Sequence, residues 1–239
     1  LVLVCAGDSS VHLHCGWHSP ARGYDLAVAY YGSDDAVRAR YRATSDVFFS
    51  LTGAKWMIVR EALRRVVGLA SYTHVWLPDD DLYMTPDAIN TMFQVAAGHK
   101  LALAQPAMLP QFVAHNVLVR DPACALRMTN FVELMAPLFS AYAVESVLKP
   151  SLADEGVKSG WGLDYCWAKL LEYRGIAVID AVHMVHTKPP AGLDALASSS
   201  FYKALGIRPI EEMHASLSRH GLRDRPKHAT ITKVPHKRV

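Results

Sequence analysis

Cysteine is scarce in this chain of 239 residues, and long apolar runs are missing from it. The four cysteines, Cys5, Cys15, Cys124 and Cys166, are scattered and form no Cys-x-x-Cys pair. This pattern argues against a zinc ribbon and indicates a reducing compartment. No stretch reaches the roughly 18 uninterrupted apolar residues that span a bilayer, and no basic-then-apolar signal segment is present. We therefore expect a cytoplasmic protein.

The sequence also lacks internal repeats and Gly- or Ser-rich linkers, which favours a single domain. With 51% apolar and 20% charged residues, its composition is that of a globular protein. The net charge is +3, and the basic excess lies at the end of the chain. We predict a globular domain over residues 1–222 and a basic tail over residues 223–239. We expect the tail to be solvated and unstructured; peripheral contact with an anionic inner-membrane surface is the alternative.

Apolar runs of strand length alternate along the chain with segments that carry the apolar spacing of a helix face. Helices are predicted at residues 54–70, 86–97, 139–148, 161–174 and 209–219. Strands are predicted at residues 1–6, 25–31, 47–51, 73–77, 101–105, 116–120 and 176–179. This alternation predicts an α/β fold with a mainly parallel, Rossmann-like sheet flanked by helices. Because such sheets bind ligands at the carboxyl ends of their strands, polar residues that follow a strand are candidate site residues.

Three adjacent carboxylates, Asp79, Asp80 and Asp81, directly follow the predicted strand at residues 73–77. Adjacent carboxylates repel one another, so three of them are costly to hold together unless a cation lies among them. In an extended chain Asp79 and Asp81 face one side and Asp80 faces the other. An Asp-x-Asp pair on one side suits Mg²⁺ or Mn²⁺ bridging a diphosphate. A solvated acidic turn before the helix that starts near residue 86 is the simpler alternative.

Two other functions for the three acids and for the segment after the first strand fit the sequence poorly. A calcium loop counted from Asp79 would need glycine at Met84 and glutamate at Asn90. A sugar-nucleotide pyrophosphorylase would need a long, basic, Gly-rich loop after the first strand, where Gly7-Asp8-Ser9 is short and acidic. Both are therefore disfavoured.

A serine esterase of the SGNH type remains as an enzyme alternative. Ser9 would be the nucleophile, and Asp180 and His183 would supply the late Asp-x-x-His. The chain lacks the Gly-x-Asn-Asp block of those esterases, and this chemistry leaves the three acids unexplained.

The chemistry that makes most use of the acids is that of a metal-dependent glycosyltransferase of the GT-A type. In such enzymes a divalent ion bridges the two phosphates of a nucleotide-diphosphate sugar and neutralises the leaving diphosphate. Asp79 and Asp81 would be two of its ligands. His186, which follows the last predicted strand, would be the third.

Inverting transfer also needs a base that takes the proton of the acceptor hydroxyl. Asp164 in Gly160-Trp161-Gly162-Leu163-Asp164 is the candidate base. The flanking glycines let a substrate approach the backbone, and Trp161 offers an apolar face for a sugar ring. Asp154 or Glu155 is the fallback base.

Several blocks of this chain, in this order, resemble the domain-of-unknown-function family seven-oh-seven of glycosyltransferase-like proteins. The resemblance ends at about Leu193, and Pro78 departs from the family pattern before the acids. It implies a GT-A-like fold with Asp-x-Asp metal binding, and it favours His186 over His183 as a ligand. The matching blocks are Gly7-Asp8-Ser9-Ser10, residues 25–32, Lys55-Trp56, Trp76–Leu82, Ala104-Gln105-Pro106-Ala107, residues 131–140, Trp161-Gly162-Leu163-Asp164 and Val185-His186.

The resemblance gives donor-binding roles to further residues, as hypotheses. Lys55 would pair with the phosphates or the base of the donor, and Gln105 would touch the donor sugar. Asp80 would anchor the loop or meet the sugar. The contacts to the nucleobase and the ribose would come from Ala6, Gly7 and Asp8.

Glu133 lies in an apolar run, where a buried acid needs a partner. It is either part of a structural ion pair or an acceptor-site carboxylate. The sequence thus predicts an inverting hexosyl- or related transferase of polysaccharide biosynthesis that uses Mn²⁺ or Mg²⁺. Its partners would be a nucleotide-diphosphate sugar, with a UDP-sugar favoured, and a saccharide or lipid-linked acceptor, without nucleic acid. A non-catalytic carbohydrate-binding module is the non-enzyme alternative.

Overall fold

The computed structural model describes residues 1–189 and 199–236, which form one large mixed sheet with helices on its faces. The strands are β1 (Val2–Ala6), β2 (Leu26–Tyr30), β3 (Val47–Ser50), β4 (His74–Trp76), β5 (Leu82–Tyr83), β6 (Leu103–Met108), β7 (Cys124–Thr129), β8 (Leu138–Ser140), β9 (Ile176–His186) and β10 (Thr230–Pro235). The helices are α1 (Asp35–Thr44), α2 (Lys55–Arg65), α3 (Pro86–Gly98), α4 (Ala141–Ala143), α5 (Lys149–Leu152), α6 (Leu163–Leu170), α7 (Ser200–Ala204) and α8 (Pro209–Arg219). In these two ranges no helix is both long and apolar enough to cross a membrane.

The strand order β10-β7-β9-β6-β8-β4-β1-β2-β3 combines parallel and antiparallel pairs, and β5 pairs with β9 outside this path. Strands β3, β2, β1 and β4 are parallel, as are β6 and β9. Strand β8 runs antiparallel between β4 and β6, and β7 and β10 are antiparallel at one edge. The predicted α/β fold class is confirmed, and the antiparallel strands make the sheet mixed.

Alternate residues of β1 belong to two cores on opposite faces of the sheet, as the period of a strand requires. Val2 and Val4 pack into one core with residues of α3. Leu3 and Cys5 pack into the other with residues of α2. Because helices cover both faces, β1 and β2 are buried along their whole length and read as continuous apolar runs.

Three predicted elements differ from the structure. Residues 116–120, predicted as a strand, hold only a 3₁₀ turn at Asn116–Leu118, and the strand lies later, in β7. Residues 139–148, predicted as a helix, begin in β8 and continue through α4 into a π-helical turn at Val144–Leu148. The last predicted strand is longer than expected, because β9 continues to His186.

The expectation of an unstructured basic tail is wrong for residues 230–235. These residues form β10, which pairs antiparallel with β7 at the edge of the sheet. Just before β10, Asn130 accepts a hydrogen bond from the Ala229 backbone and donates one to the Lys227 carbonyl. The end of this basic segment, residues 237–239, lies outside the described residues, and the boundary near residue 222 stays a prediction.

A wide bulge interrupts the β6–β9 ladder. Pro106 pairs with Ile179, but the next residue, Ala107, pairs with His183, so residues 180–182 have no counterpart on β6. Proline has no backbone N–H to donate to a ladder, which favours a break at this position. Beyond the bulge β9 pairs with β5, and His186 lies opposite Leu82. The bulge therefore brings His186 next to the residue that precedes Leu82, which is Asp81.

Candidate active site

The three acids lie just beyond the carboxyl end of β4, and the segment 131–137 holds their backbone. The Leu77 N–H donates to the Pro137 carbonyl over 2.9 Å, and the Asp79 N–H donates to the Met135 carbonyl over 2.8 Å. These bonds continue the β4–β8 pairing past the end of the strand. The acids are thus fixed beside the segment that also carries Glu133.

Asp79 forms an ion pair with Lys55. The Lys55 Nζ lies 2.6 Å from Asp79 Oδ1 and also donates to the carbonyls of Leu134 and Met135, at 2.8 and 3.1 Å. Lys55 is the first residue of α2, so the start of this helix places its ammonium group beside Asp79. This ammonium group neutralises Asp79 and fastens it to the 131–137 segment.

Asp80 connects the acids to the end of β1. Its Oδ2 accepts hydrogen bonds from the Gly7 N–H at 2.7 Å and from the Tyr31 hydroxyl at 3.1 Å. A side chain at Gly7 would press against the Tyr31 ring, with its Cβ 3.0 Å away. Because residue 7 is glycine, the Tyr31 ring can lie against the end of β1 and its hydroxyl can donate to Asp80.

Asp81 faces His186. Asp81 Oδ1 lies 3.4 Å from His186 Nε2, and Oδ2 lies 3.5 Å from Lys188 Nζ. Burial opposes ionisation of Asp81, but His186 and Lys188 outweigh it and lower its pKa. The hydrogen bond with Asp81 raises the pKa of His186. The Thr187 backbone and hydroxyl both donate to the Asp81 carbonyl, at 3.0 and 2.8 Å, which fixes the pairing.

The predicted metal-ligand set Asp79, Asp81 and His186 is only partly assembled. Asp81 and His186 face each other, whereas Asp79 is bound to Lys55. Within residues 1–189 and 199–236, no group of three His, Cys, Asp or Glu side chains is close enough to hold an ion. The two facing groups do suit a divalent ion: ligand atoms at right angles, each roughly 2.1 Å from an ion, lie about 3 Å apart.

The predicted base, Asp164, lies in the first turn of α6. The loop before this helix requires glycine at two positions, 160 and 162. Gly160 has φ +76°, and a Cβ there would overlap the Trp56 ring. Gly162 caps the helix with φ +91°. Both carboxylate oxygens of Glu212 accept hydrogen bonds from backbone N–H groups at residues 158–160, which fixes the loop. The loop thus holds Asp164 in one position.

Asp164 is 7% exposed, and burial raises its pKa to about 7. The Tyr165 backbone donates to its Oδ1 over 3.1 Å. Trp161, three residues before Asp164, is half-buried. The fallback bases are less suited, since Asp154 pairs with Arg219 and Glu155 is exposed.

Glu133 has no cationic partner among the described residues. Its Oε1 lies 3.8 Å from His115 Nε2, and its buried Oε2 makes no hydrogen bond. Burial, together with the nearby Asp164 and Asp79, raises the pKa of Glu133 to about 8, against the opposing effect of His186 and Lys55. Burial also lowers the pKa of His115 to about 4, so this histidine is neutral at pH 7.

Two residues predicted to touch the donor have buried side chains. Gln105 is fully buried, and its Oε1 accepts the Glu133 N–H over 2.7 Å, so it supports Glu133 instead of facing the cleft. Ala6 is also fully buried. Asp8, in contrast, is exposed where β1 and β2 end, and it accepts hydrogen bonds from the Tyr30 hydroxyl and the Ser33 backbone.

The esterase constellation is not assembled. Asp180 is fully buried, and its carboxylate oxygens accept hydrogen bonds from Arg127 and from the Asp121 N–H. His183 is exposed on β9, and among the described residues it hydrogen-bonds to neither Asp180 nor Ser9. With its oxygens bound elsewhere, Asp180 cannot orient a catalytic histidine.

The structure adds residues that the sequence reasoning missed. Tyr31, the residue after β2, reaches Asp80, and Lys188, two residues after β9, reaches Asp81. His228, from the segment before β10, stacks on Phe131 with 3.7 Å between ring centroids and lies 5.5 Å from the Tyr165 ring. No local signal marks His228, because its partners are far away in the sequence.

Comparison with solved structures identifies the fold. The chain is similar to glucosyl-3-phosphoglycerate synthase from Mycobacterium tuberculosis, solved with Mn²⁺, UDP and phosphoglyceric acid, with a TM-score of 0.58 and 15% identity over 99% of this chain and 89% of the other. It is also similar to S. aureus TarS 1–349, with a TM-score of 0.55 and 15% identity over 78% of this chain and 59% of that one. A complex of TarS with UDP-GlcNAc gives a TM-score of 0.52 and 14% identity over 92% and 71% of the two chains.

These likenesses show a GT-A glycosyltransferase fold. No protein-family model matches the chain, and no curated protein matches its sequence. The GT-A part of the resemblance is therefore confirmed, and membership of family seven-oh-seven stays a prediction.

Proposed function

We propose that this protein is a metal-dependent glycosyltransferase that transfers a sugar from a UDP-sugar to an acceptor hydroxyl. The observation that carries the proposal is the facing pair of Asp81 and His186, 3.4 Å apart, at the carboxyl edge of a GT-A sheet. The similar structures support the donor class, because one of the proteins was solved with Mn²⁺ and UDP and the other with UDP-GlcNAc.

Asp81 Oδ1 and His186 Nε2 would hold Mn²⁺ or Mg²⁺, and Asp79 would join them only if its carboxylate turned away from Lys55. A divalent ion held there would neutralise the diphosphate as it leaves. Lys188 would pair with a phosphate oxygen, since it already reaches Asp81 from the exposed side. Asp8, exposed at the β1 end, would bind the ribose or the nucleobase.

Asp164 would act as the base of an inverting displacement. The acceptor oxygen forms a bond to the anomeric carbon, the bond from that carbon to the diphosphate breaks with its electron pair on the diphosphate, and the hydroxyl proton passes to Asp164. A pKa of about 7 suits this role, because a base works best when its pKa lies near the working pH. Trp161 would carry the apolar face of a sugar. A saccharide or a lipid-linked saccharide in polysaccharide biosynthesis is the proposed acceptor.

The test is a thermal-shift titration with UDP, with and without Mn²⁺. A ligand at 100 times its dissociation constant adds about 2.7 kcal/mol, and a domain of this size gains about 2–4 °C per kcal/mol. We expect UDP to raise Tm by roughly 5–10 °C with Mn²⁺ and far less with EDTA. A shift of equal size in EDTA would contradict the metal role.

His186→Ala and His183→Ala form a matched pair, because the two histidines lie three residues apart on β9 and only His186 faces Asp81. His186→Ala should abolish the Mn²⁺-dependent shift, and His183→Ala should keep it. Equal losses in both would overturn the assignment. An enzyme should release UDP from UDP-sugars, whereas a binding module should not. In Asp164→Asn this release should be lost although Mn²⁺–UDP still binds.

A further inference from the structure

The Glu133 carboxyl group lies in the site without a structural partner. The sequence allowed either an ion pair or an acceptor-site carboxylate at this position. The structure removes the first option, because the nearest basic group is His115, 3.8 Å from Oε1 and uncharged at neutral pH. The other oxygen, Oε2, is buried and makes no hydrogen bond with any described residue. An unpaired buried carboxyl group destabilises a fold, so its presence calls for a ligand.

The surroundings hold Glu133 in place. Its N–H is bound to the fully buried Gln105, and the next two carbonyls, of Leu134 and Met135, bind Lys55. The backbone of Glu133 is thus fixed on both sides of its Cα. A carboxyl group with a fixed backbone and a free oxygen is a preorganised hydrogen-bonding group.

The other charges near Glu133 are largely compensated. Asp79 is paired with Lys55, and His186 with Asp81. Asp164 is close enough to raise the pKa of Glu133, and the exposed Arg225 opposes the rise in the pKa of Asp164. Two carboxyl groups with raised pKa values therefore share this side of the site, and the rings of Phe131 and Tyr165, which neighbour them in the sequence, pack against each other.

We propose that Glu133 binds the acceptor and that the acceptor presents uncharged hydroxyl groups there, as a neutral saccharide does. This inference rests on the proposed transferase function. A hydroxyl group can both donate to and accept from a carboxyl group, so it can bind the partly exposed Glu133 carboxyl group whether or not Glu133 is ionised. A carboxylate or phosphate on the acceptor would be repelled by the ionised forms of Glu133 and Asp164, and it would oppose their ionisation further.

The kinetic test compares Glu133→Gln with the native enzyme, using the UDP-sugar that the native enzyme hydrolyses fastest. The KM for a neutral glycoside acceptor should rise roughly tenfold, because a hydrogen bond to the carboxyl group of Glu133 is replaced by a weaker one to an amide. Glucoside and glucuronide acceptors with the same aglycone form a matched pair. Native enzyme should prefer the glucoside at least tenfold, and a preference for the glucuronide would overturn the acceptor class. An unchanged acceptor KM in Glu133→Gln would overturn the role of Glu133.

A second measurement needs no activity. Glu133→Gln should raise Tm at pH 7.5 by several degrees, because it removes an unpaired buried carboxyl group, and the exposed control Glu145→Gln should change Tm by less than about 1 °C. A fall in Tm for Glu133→Gln would show a structural partner and refute the proposal. If Tm rises but Mn²⁺ and UDP do not bind, the proposed function fails and the acceptor assignment fails with it. If Mn²⁺–UDP binds and Tm falls, only the Glu133 assignment fails.

Discussion

Replacing Arg127 with methionine tests the buried ion pair that holds the β9 bulge. Arg127 Nε and Nη2 lie 2.9 and 3.0 Å from the Asp180 oxygens, and the two side chains are 7% and 0% exposed. Removing one partner of a buried pair costs about 3–5 kcal/mol, because the other charge stays buried without compensation. At about 2–4 °C per kcal/mol, Arg127→Met should melt roughly 6–20 °C below the native protein.

A double-mutant cycle isolates the pair from its surroundings. Arg127 also donates to the carbonyls of Val117 and Val119, at 3.0 and 2.7 Å, so part of the loss in Arg127→Met comes from those acceptors. Asp180→Leu should cost a similar amount, and the double variant should lose about 2–3 kcal/mol less than the two single losses together. Arg208→Met is the control, because its pair with Glu211 is exposed and worth about 1 kcal/mol at most.

The assays are urea unfolding and thermal melting of the native protein, the three variants of the cycle and the Arg208→Met control at pH 7, both followed by circular dichroism. Strictly additive losses, or an Arg127→Met variant that melts within about 3 °C of the native protein, would refute the reasoning from burial. Arg127→Met that is still folded at 20 °C should also bind Mn²⁺–UDP more weakly, because the bulge places His186 opposite Leu82.

Three further predictions concern the acids, the glycine loop and the end of the chain. The pKa of Glu133 is raised to about 8 in the native state, so the native protein loses stability as the pH rises from about 4.5 to 8. The gain in unfolding free energy of Glu133→Gln, measured by urea unfolding, should therefore grow between pH 5 and pH 8. A constant gain would contradict the raised pKa. Gly160→Ala should lower Tm by at least about 5 °C, because the new Cβ would overlap Trp56 and the backbone φ is +76°. The control Gly98→Ala has open space around its Cβ and should leave Tm unchanged or slightly higher. Deletion from residue 223 onward should expose β7 as an edge strand and lower Tm, with aggregation visible in light scattering; an unchanged Tm would show that β10 adds no stability.

The sequence predicts those parts of the fold that depend on local pattern. β1 and β2 are apolar along their whole length because both faces of the sheet are covered, and helix α3 starts where Thr85 and Pro86 supply a cap and a first turn. β7 could not be predicted in this way. Its central Arg127 reads as a surface residue until Asp180, 53 residues later, is known to neutralise it inside the sheet.

The candidate site shows the same division between local and long-range information. The position of the three acids after β4 follows from the sequence, but their separate partners do not. Lys55 binds Asp79 and Gly7 binds Asp80 through contacts that span 24 and 73 residues. The position of Gln105 at the end of a predicted strand indicates a ligand contact, but its side chain is fully buried and bonds to the Glu133 backbone, a partner 28 residues away.

The bulge in β9 also bears on how this chain tolerates changes of length. Side chains alternate between the two faces of a strand, so the loss of one residue from 180–182 would shift the following segment by one position. Thr187 would then take the place of His186 opposite Asp81, and His186 would turn to the opposite side of the strand. Loss of two residues would restore the alternation but shorten the chain that reaches β5. A single-codon deletion here would therefore put a hydroxyl side chain in the place of the facing imidazole, although His186 itself would still be encoded. An alignment that places gaps freely in this strand would miss the change.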